Sequence, residues 1–124
     1  ETIREPDEVL ASVHVPVQRQ GMRSTYIKFR ERGSYDWALS SVALCLWMSD
    51  GMTTGARLVL GGVAPTPWRC ESSELLLVGH AVDEQTIRRV VDEALRQAEP
   101  LSDNAYKVPL TKGLVTRALQ TLAS

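Results

Sequence analysis

Residues 26–48 read YIKFRERGSYDWALSSVALCLWM and divide into two halves of opposite character. The first half is rich in charged side chains and contains Gly33, a residue that favours turns. The second half carries no charge from Trp37 to Met48 and is apolar on both faces, which predicts a strand over residues 39–48 that is central in a sheet or covered on both sides. Loops that lead into a rigid strand often hold binding residues, although a solvated loop before a core strand fits the same pattern.

Strand character also occurs before the apolar half of this stretch and after it. Valines alternate with other residues over residues 9–17, which predicts a strand with one face in the core, and Pro16 predicts that this strand lies at an edge. Residues 25–29 alternate again and are expected to form a short extended segment. Residues 56–63 predict the return strand of an antiparallel hairpin with the central strand, across a loop of about five residues.

The second half of the sequence changes to helical periodicity. A short helix is predicted over residues 71–78, a second over residues 83–98 with Asp83 as its N-cap, and a third over residues 109–122. Strands followed by helices predict the α+β class. We expect a small antiparallel sheet of three to four strands, with about three helices packed on one face.

The composition limits the classes of function. The chain has 124 residues and a formal net charge of -1 at pH 7, so we expect a single domain over residues 1–124 and no nucleic-acid partner. Residues 1–8 are expected to be a linker or a frayed end, and the first residue, Glu1, suggests processing or excision from something longer. No apolar run reaches the ~18 residues needed to span a bilayer, and no signal-peptide pattern opens the sequence. We therefore expect a cytoplasmic protein without a membrane span.

Residue types that often carry chemistry are present but are not spaced for it. Cys45 and Cys70 lack the spacing of a metal site, and a disulfide between them is disfavoured in a cytosolic chain; we expect Cys45 to be the more buried of the two. His14 has no nucleophile or carboxylate placed beside it by the sequence, so we expect a structural role. Gly61-Gly62 could cradle a phosphate, but two prolines follow and remove amide donors. A bulge or a close backbone approach is therefore favoured.

Four segments of the sequence match the pattern of a known family in the same order along the chain. They read YIKFRERGSYDWALSSVA at residues 26–43, ARLVLGGVAPTPWR at residues 56–69, LVG at residues 77–79 and PLSDNAYK at residues 100–107. In this order they resemble the C-terminal domain of the FAD-binding (medium) subunit of molybdenum hydroxylases, a family that includes xanthine dehydrogenase and carbon monoxide dehydrogenase. The resemblance covers residues 6–122, which is almost the whole chain.

The resemblance implies a function in electron transfer. In such subunits FAD accepts electrons that start at a molybdopterin centre and pass through iron–sulfur clusters, and the flavin then reduces NAD or another acceptor. The chain resembles the cap that follows two FAD-binding subdomains and lies against their flavin side. The resemblance implies that Lys28 approaches the isoalloxazine and that Arg32, Asp36 and Trp37 belong to the loop that borders it. Trp37 is expected to lie either against the ring system or in the core.

The resemblance also implies what the chain depends on. The glycine loops that bind the FAD phosphates in this family belong to the two preceding subdomains, and neither occurs in this sequence. The expected partners are therefore upstream FAD-binding domains, an iron–sulfur subunit and a molybdopterin large subunit. We expect the isolated chain to lack FAD and activity. The alternative, from a different functional class, is a stand-alone, non-catalytic protein-interaction module.

Overall fold

A computed structural model describes residues 3–17, 20–33 and 35–123 of the chain. The strands in this part form one antiparallel sheet in the order β1-β2-β3-β4. They are β1 (Met22–Phe29), β2 (Ser40–Ser49), β3 (Met52–Gly61) and β4 (Trp68–Arg69). The helices are α1 (Glu71–Leu77), α2 (Glu84–Ala94) and α3 (Lys107–Ala123). The predicted α+β class is confirmed, with the helices packed on one face of the sheet.

The central strand β2 supplies the middle of the core. Its side chains alternate as strand geometry requires, so that Val42, Leu44 and Leu46 are fully buried against the helices. Burying a side chain of this size contributes about 1.5–3 kcal/mol relative to leaving it in water. On the opposite face Ala43 is exposed and Trp47 is partly buried. The prediction of a central strand is confirmed, because β2 lies between β1 and β3.

The turn between β2 and β3 is shorter than predicted. Asp50 and Gly51 have φ angles of +51° and +77°, and two successive positive values are the pattern of a two-residue type I′ turn. The prediction of a loop of about five residues is wrong, because Met52 already pairs with Ser49 of β2. A register shift next to Trp47 accommodates the extra residue in the ladder.

Residues 9–17 do not form the predicted edge strand. They are irregular and exposed, and their valines face solvent. The position beside β2 is taken by β1, which pairs with β2 from Met22 to Phe29. Alternation alone cannot hold a strand, since a strand also needs the N–H and C=O groups of a neighbour. His14 lies in this exposed segment, with its Nε2 atom 3.2 Å from the Ser12 hydroxyl.

The helices begin and end close to the predicted signals. Asp83 caps α2, because its side chain accepts a 2.8 Å hydrogen bond from the Thr86 backbone N–H. Gly79 follows α1 with a φ of +80°, in the left-handed region that glycine adopts after helices. The second helix ends at Ala94, before the predicted residue 98, and the third begins at Lys107, ahead of its predicted start.

Residues 1–2 of the predicted linker lie outside the described residues, whereas residues 3–8 are exposed; their role as a linker stays a prediction. None of the helices in the described ranges has the length and apolar character needed to cross a bilayer.

A buried hydroxyl pair joins β2 to α3. Ser40 Oγ and Thr111 Oγ1 lie 2.7 Å apart, and both residues are fully enclosed. We expect Thr111→Val to lower the free energy of unfolding by about 1–3 kcal/mol, because the Ser40 hydroxyl then stays buried without a partner. The double variant Ser40→Ala/Thr111→Val should lose less than the single variant, since it leaves no unpaired hydroxyl. Urea unfolding measures both changes, and losses that simply add would contradict the coupling.

Candidate functional site

The polar loop predicted to hold binding residues connects β1 to β2 over residues 30–39. All of it except Ser34 is described. Its ends are joined by a 2.9 Å hydrogen bond from the Leu39 N–H to the Phe29 carbonyl. The loop therefore projects from the end of a paired, rigid part of the sheet.

Asp36 holds this loop together through hydrogen bonds to its side chain and to its backbone carbonyl. Its carboxylate oxygens accept hydrogen bonds from the backbone N–H of Arg32, at 3.2 Å, and from that of Trp37, at 3.0 Å. Its backbone carbonyl accepts a 3.0 Å hydrogen bond from Lys28 Nζ. The structure thus brings the four predicted site residues into one network, in which Arg32 takes part through its backbone.

Trp37 does not belong to the core. Its side chain is 92% exposed, so the buried alternative left open by the sequence is wrong. Tyr35, two residues earlier in the chain, is also fully exposed, and Tyr26 is exposed on the same face of β1 as Lys28. Large aromatic side chains exposed together indicate a contact surface. The Lys28 ammonium, hydrogen-bonded to the carbonyl of Asp36, adds a positive charge at the base of the loop that carries Trp37.

The glycine pair that follows β3 lies against the end of this loop. Gly62 has a φ of +72°, and a Cβ atom there would lie 2.8 Å from the Ala38 carbonyl oxygen. A Cβ atom on Gly61 would overlap with Ser41 Oγ. The Gly62 carbonyl accepts a 3.0 Å hydrogen bond from Lys107 Nζ. The pair makes the close backbone approach that the sequence favoured over a phosphate cradle.

A second cluster, which the sequence did not indicate, surrounds Glu74 on α1. Glu74 is only 4% exposed. Its carboxylate accepts hydrogen bonds from Arg69, at 3.0 Å to Nε and 2.8 Å to Nη2, and from the Leu58 backbone N–H at 3.0 Å. Arg57 Nη1 lies 3.3 Å from the same carboxylate. No regular spacing marks this cluster, because β3, β4 and α1 bring its members together only in the folded chain.

The Glu74 carboxylate accepts a hydrogen bond from a backbone N–H at the edge of β3, beyond the end of β4. Strand β4 has two residues and pairs only with Val59 and Leu60. At the next position the Leu58 carbonyl accepts a 2.9 Å hydrogen bond from the Cys70 N–H, and the Leu58 N–H donates to the Glu74 carboxylate. Burial raises the pKa of Glu74, but hydrogen bonds from Arg69 and Leu58, together with the charge of Arg57, outweigh burial and hold the pKa below its ordinary value. The ionised carboxylate therefore ties α1 to the sheet.

The two cysteines are free thiols, and their burial is the reverse of what the sequence suggested. Cys70 is buried, whereas Cys45 is partly exposed. Burial raises the pKa of Cys70 to about 11, with the Glu74 carboxylate adding to the shift, so this thiol is protonated at neutral pH and a poor nucleophile. Within the described ranges, no three His, Cys, Asp or Glu residues are grouped to hold a metal ion.

The face of the sheet opposite the helices, here called the outer sheet face, leads into the loop. Tyr26, Ala43 and Val59 lie side by side across β1, β2 and β3 on this face. Lys28 follows Tyr26 by two residues on β1 and therefore points to the same side. The core lies entirely on the other side of the sheet. The outer sheet face and the loop thus form one continuous surface.

Comparison with known proteins places this fold and loop in a family. Residues 24–122 match the family described as the CO dehydrogenase flavoprotein C-terminal domain. The chain is 31% identical over 122 residues to the carbon monoxide dehydrogenase medium chain of Hydrogenophaga pseudoflava. The aligned region covers 95% of this chain and 42% of that relative. The chain is 34% identical over 119 residues to the aldehyde oxidoreductase FAD-binding subunit PaoB of Escherichia coli K12, covering 96% of this chain and 34% of that relative.

A solved structure gives the same result in three dimensions. It is the carbon monoxide dehydrogenase from Hydrogenophaga pseudoflava that lacks the Mo-pyranopterin moiety of its molybdenum cofactor. It matches with a TM-score of 0.78 at 31% identity, over 86% of this chain and 38% of that chain. The chain thus spans 42% or less of the length of these relatives. It belongs to the family of CO dehydrogenase flavoprotein C-terminal domains.

Proposed function

We propose that this chain is the C-terminal cap domain of the FAD-binding subunit of a molybdenum hydroxylase, an oxidoreductase of the xanthine dehydrogenase type. The observation that carries the proposal is the exposed loop at residues 30–39, which presents Trp37 on a domain of this family and is hydrogen-bonded through the Asp36 carbonyl to Lys28 of β1. The relatives named as medium or FAD-binding subunits are more than twice as long, which supports a role as one domain of a larger subunit.

The exposed groups of the loop fit one side of a flavin ring. An isoalloxazine has flat faces and a polar pyrimidine edge, so it requires both an aromatic surface and a charged or polar partner. Trp37 and Tyr35 offer the first and Lys28 the second. When bound, FAD supplies the redox chemistry, taking electrons from iron–sulfur clusters and passing them to an acceptor such as NAD.

Each loop residue has a distinct task in this proposal. Lys28 holds a positive charge beside the ring, which stabilises the negative charge gained there on reduction. Asp36 keeps Lys28 in place through its carbonyl and fixes the backbone of Arg32 and Trp37 through its carboxylate. Trp37 shields the ring from water, and the Arg32 guanidinium adds a positive charge within the loop.

The outer sheet face is the surface that we assign to the upstream FAD-binding domains. It runs from Tyr26 to Lys28 into the loop, so one partner surface can meet both. An iron–sulfur subunit and a molybdopterin large subunit complete the proposed complex. A cytoplasmic location stays a prediction from the sequence.

The chain purified by itself should not retain FAD. Binding a pyrophosphate requires free backbone N–H groups at a glycine turn or a helix N-terminus. The glycine pair of this chain is already packed: Gly62 lies against Ala38, and its carbonyl binds Lys107 Nζ. The measurement is the visible flavin absorbance of the purified protein after incubation with FAD and desalting. One flavin per chain would contradict the prediction.

A non-catalytic interaction module is the second candidate, and the uncovered outer sheet face favours it. The two candidates differ in the partner they require. Size-exclusion chromatography of this chain mixed with the FAD-binding domains of a relative distinguishes them. A stable complex that contains flavin supports the cap domain. The absence of a complex with the FAD-binding domains, together with stoichiometric binding of a flavin-free protein, supports the module.

A further inference from the structure

Gly62 connects the candidate loop to the helical layer. Its carbonyl accepts a 3.0 Å hydrogen bond from Nζ of Lys107, the first residue of α3. On its other side, a Cβ atom at this position would lie 2.8 Å from the Ala38 carbonyl oxygen and 3.2 Å from that of Leu39. Ala38 directly follows Trp37 in the chain. Helix α3, Gly62 and the end of the loop therefore form one continuous line of contacts.

We propose that Gly62 is a positioning residue, which sets where the loop re-enters the sheet and thereby where Trp37 and Lys28 are presented. The relevance of this role to a flavin rests on the proposed function, whereas the positioning itself concerns only this domain. The role needs glycine twice over, because the backbone has a φ of +72° and the space beside its α-carbon is taken by backbone oxygen atoms.

The end of the loop is constrained where it enters the sheet. Leu39 is held to β1 by its 2.9 Å hydrogen bond to the Phe29 carbonyl, so moving the chain at that point weakens this bond. We expect a methyl group on residue 62 to displace the Ala38 carbonyl, whose oxygen is the atom nearest to it, and with it the neighbouring peptide units of Trp37 and Asp36. The Asp36 carbonyl is the acceptor of Lys28 Nζ, so the displacement reaches the ammonium group as well.

Two other glycines provide matched controls. Gly51, in the turn between β2 and β3, has a φ of +77°, and Gly79, after α1, has a φ of +80°. Nothing lies within 4 Å of the Cβ position of either residue. Alanine at Gly51 or Gly79 therefore introduces the same unfavourable left-handed conformation as Gly62→Ala, but without a collision. Any effect on the loop that is confined to Gly62→Ala then comes from the close approach.

The first experiment follows backbone amides of the whole chain by NMR. Gly62→Ala should shift the resonances of Lys28, Trp37 and Ala38 and accelerate hydrogen exchange of the Leu39 N–H by about tenfold relative to Gly51→Ala. Lys107→Gln removes the ammonium group that donates to the Gly62 carbonyl and should shift the same resonances, by less than Gly62→Ala does. If Gly62→Ala does not fold, the Lys107→Gln variant tests the proposal instead. Shifts restricted to the neighbours of residue 62, or equal to those in the controls, would overturn the proposal.

The second experiment uses the FAD-loaded subunit and separates this inference from the proposed function. Gly62→Ala should change the reduction potential of the flavin, whereas Gly51→Ala and Gly79→Ala should not. If the loop amides shift but the potential stays constant, the positioning role stands and the proposed function is wrong for this loop. If the loop amides do not shift, the positioning role is wrong, whatever the flavin does.

Discussion

Glu74→Ala should lower the free energy of unfolding by about 2–4 kcal/mol, a larger loss than we expect from removing any of the exposed charged side chains. The carboxylate is buried and accepts hydrogen bonds from both Arg69 and the Leu58 backbone N–H. Its removal leaves that N–H unpaired at the edge of β3 and removes the carboxylate shared by Arg69 and Arg57, so that only the exposed Glu71 still pairs with Arg69. The expected loss is below that of a fully buried ion pair, because both arginines stay partly exposed to water.

The matched control is Glu71→Ala, on the same helix and with the same arginine. Glu71 lies 3.0 Å from Arg69, but its side chain is mostly exposed, so its ion pair contributes little and the expected loss is within about 0.5 kcal/mol. Urea unfolding of both variants gives the comparison. Equal losses for the two variants would show that Glu74 does not hold α1 to the sheet.

The same carboxylate should make stability depend on pH in acid. The pKa of Glu74 lies below its ordinary value in the folded chain, so the unfolded chain binds more protons as the pH falls. The stabilisation is then complete above the unfolded pKa of about 4.3 and is lost as the pH falls through the lower folded pKa. Glu74→Gln should be less stable than wild type at neutral pH and should lose less stability on acidification.

The order of strands and helices could be predicted because periodicity reports which side of each element faces the core. The alternation of Val42, Leu44 and Leu46 marked β2, and the stripe that includes Leu119 marked α3; these side chains are indeed buried. Residues 9–17 show the limit of this reasoning. Alternation identifies a possible face but not a partner strand, and β1 occupied the place beside β2.

The candidate site was predictable only in part, for a different reason. Its four residues were indicated by resemblance, and the structure adds the local hydrogen bonds by which Asp36 connects them. Glu74 gave no signal, since its partners Leu58 and Arg57 are distant in the sequence and meet it through the folded sheet edge. The contact between Gly62 and Ala38 likewise exists only once β3 has paired with β2.

Lys28→Ala should lower the reduction potential of bound FAD while leaving the stability of the domain almost unchanged. A positive charge a few ångströms from the ring contributes on the order of 1–4 kcal/mol to the stabilisation of an added negative charge, which corresponds to roughly 20–90 mV for a two-electron couple. The folded chain loses only one exposed hydrogen bond to the Asp36 carbonyl, so the expected change in the free energy of unfolding is within about 0.5 kcal/mol. Lys112→Ala is the control, because this lysine pairs with Asp92 between α2 and α3 and carries the same charge.

The most direct measurement is a spectroelectrochemical titration of the FAD-loaded subunit, in wild type, Lys28→Ala and Lys112→Ala, beside thermal unfolding of the same proteins. We expect the flavin potential to fall by tens of millivolts in Lys28→Ala alone, with nearly equal melting temperatures for wild type and Lys28→Ala. An unchanged flavin potential in Lys28→Ala, together with a large loss of melting temperature, would contradict the proposed flavin site and would assign Lys28 to the fold.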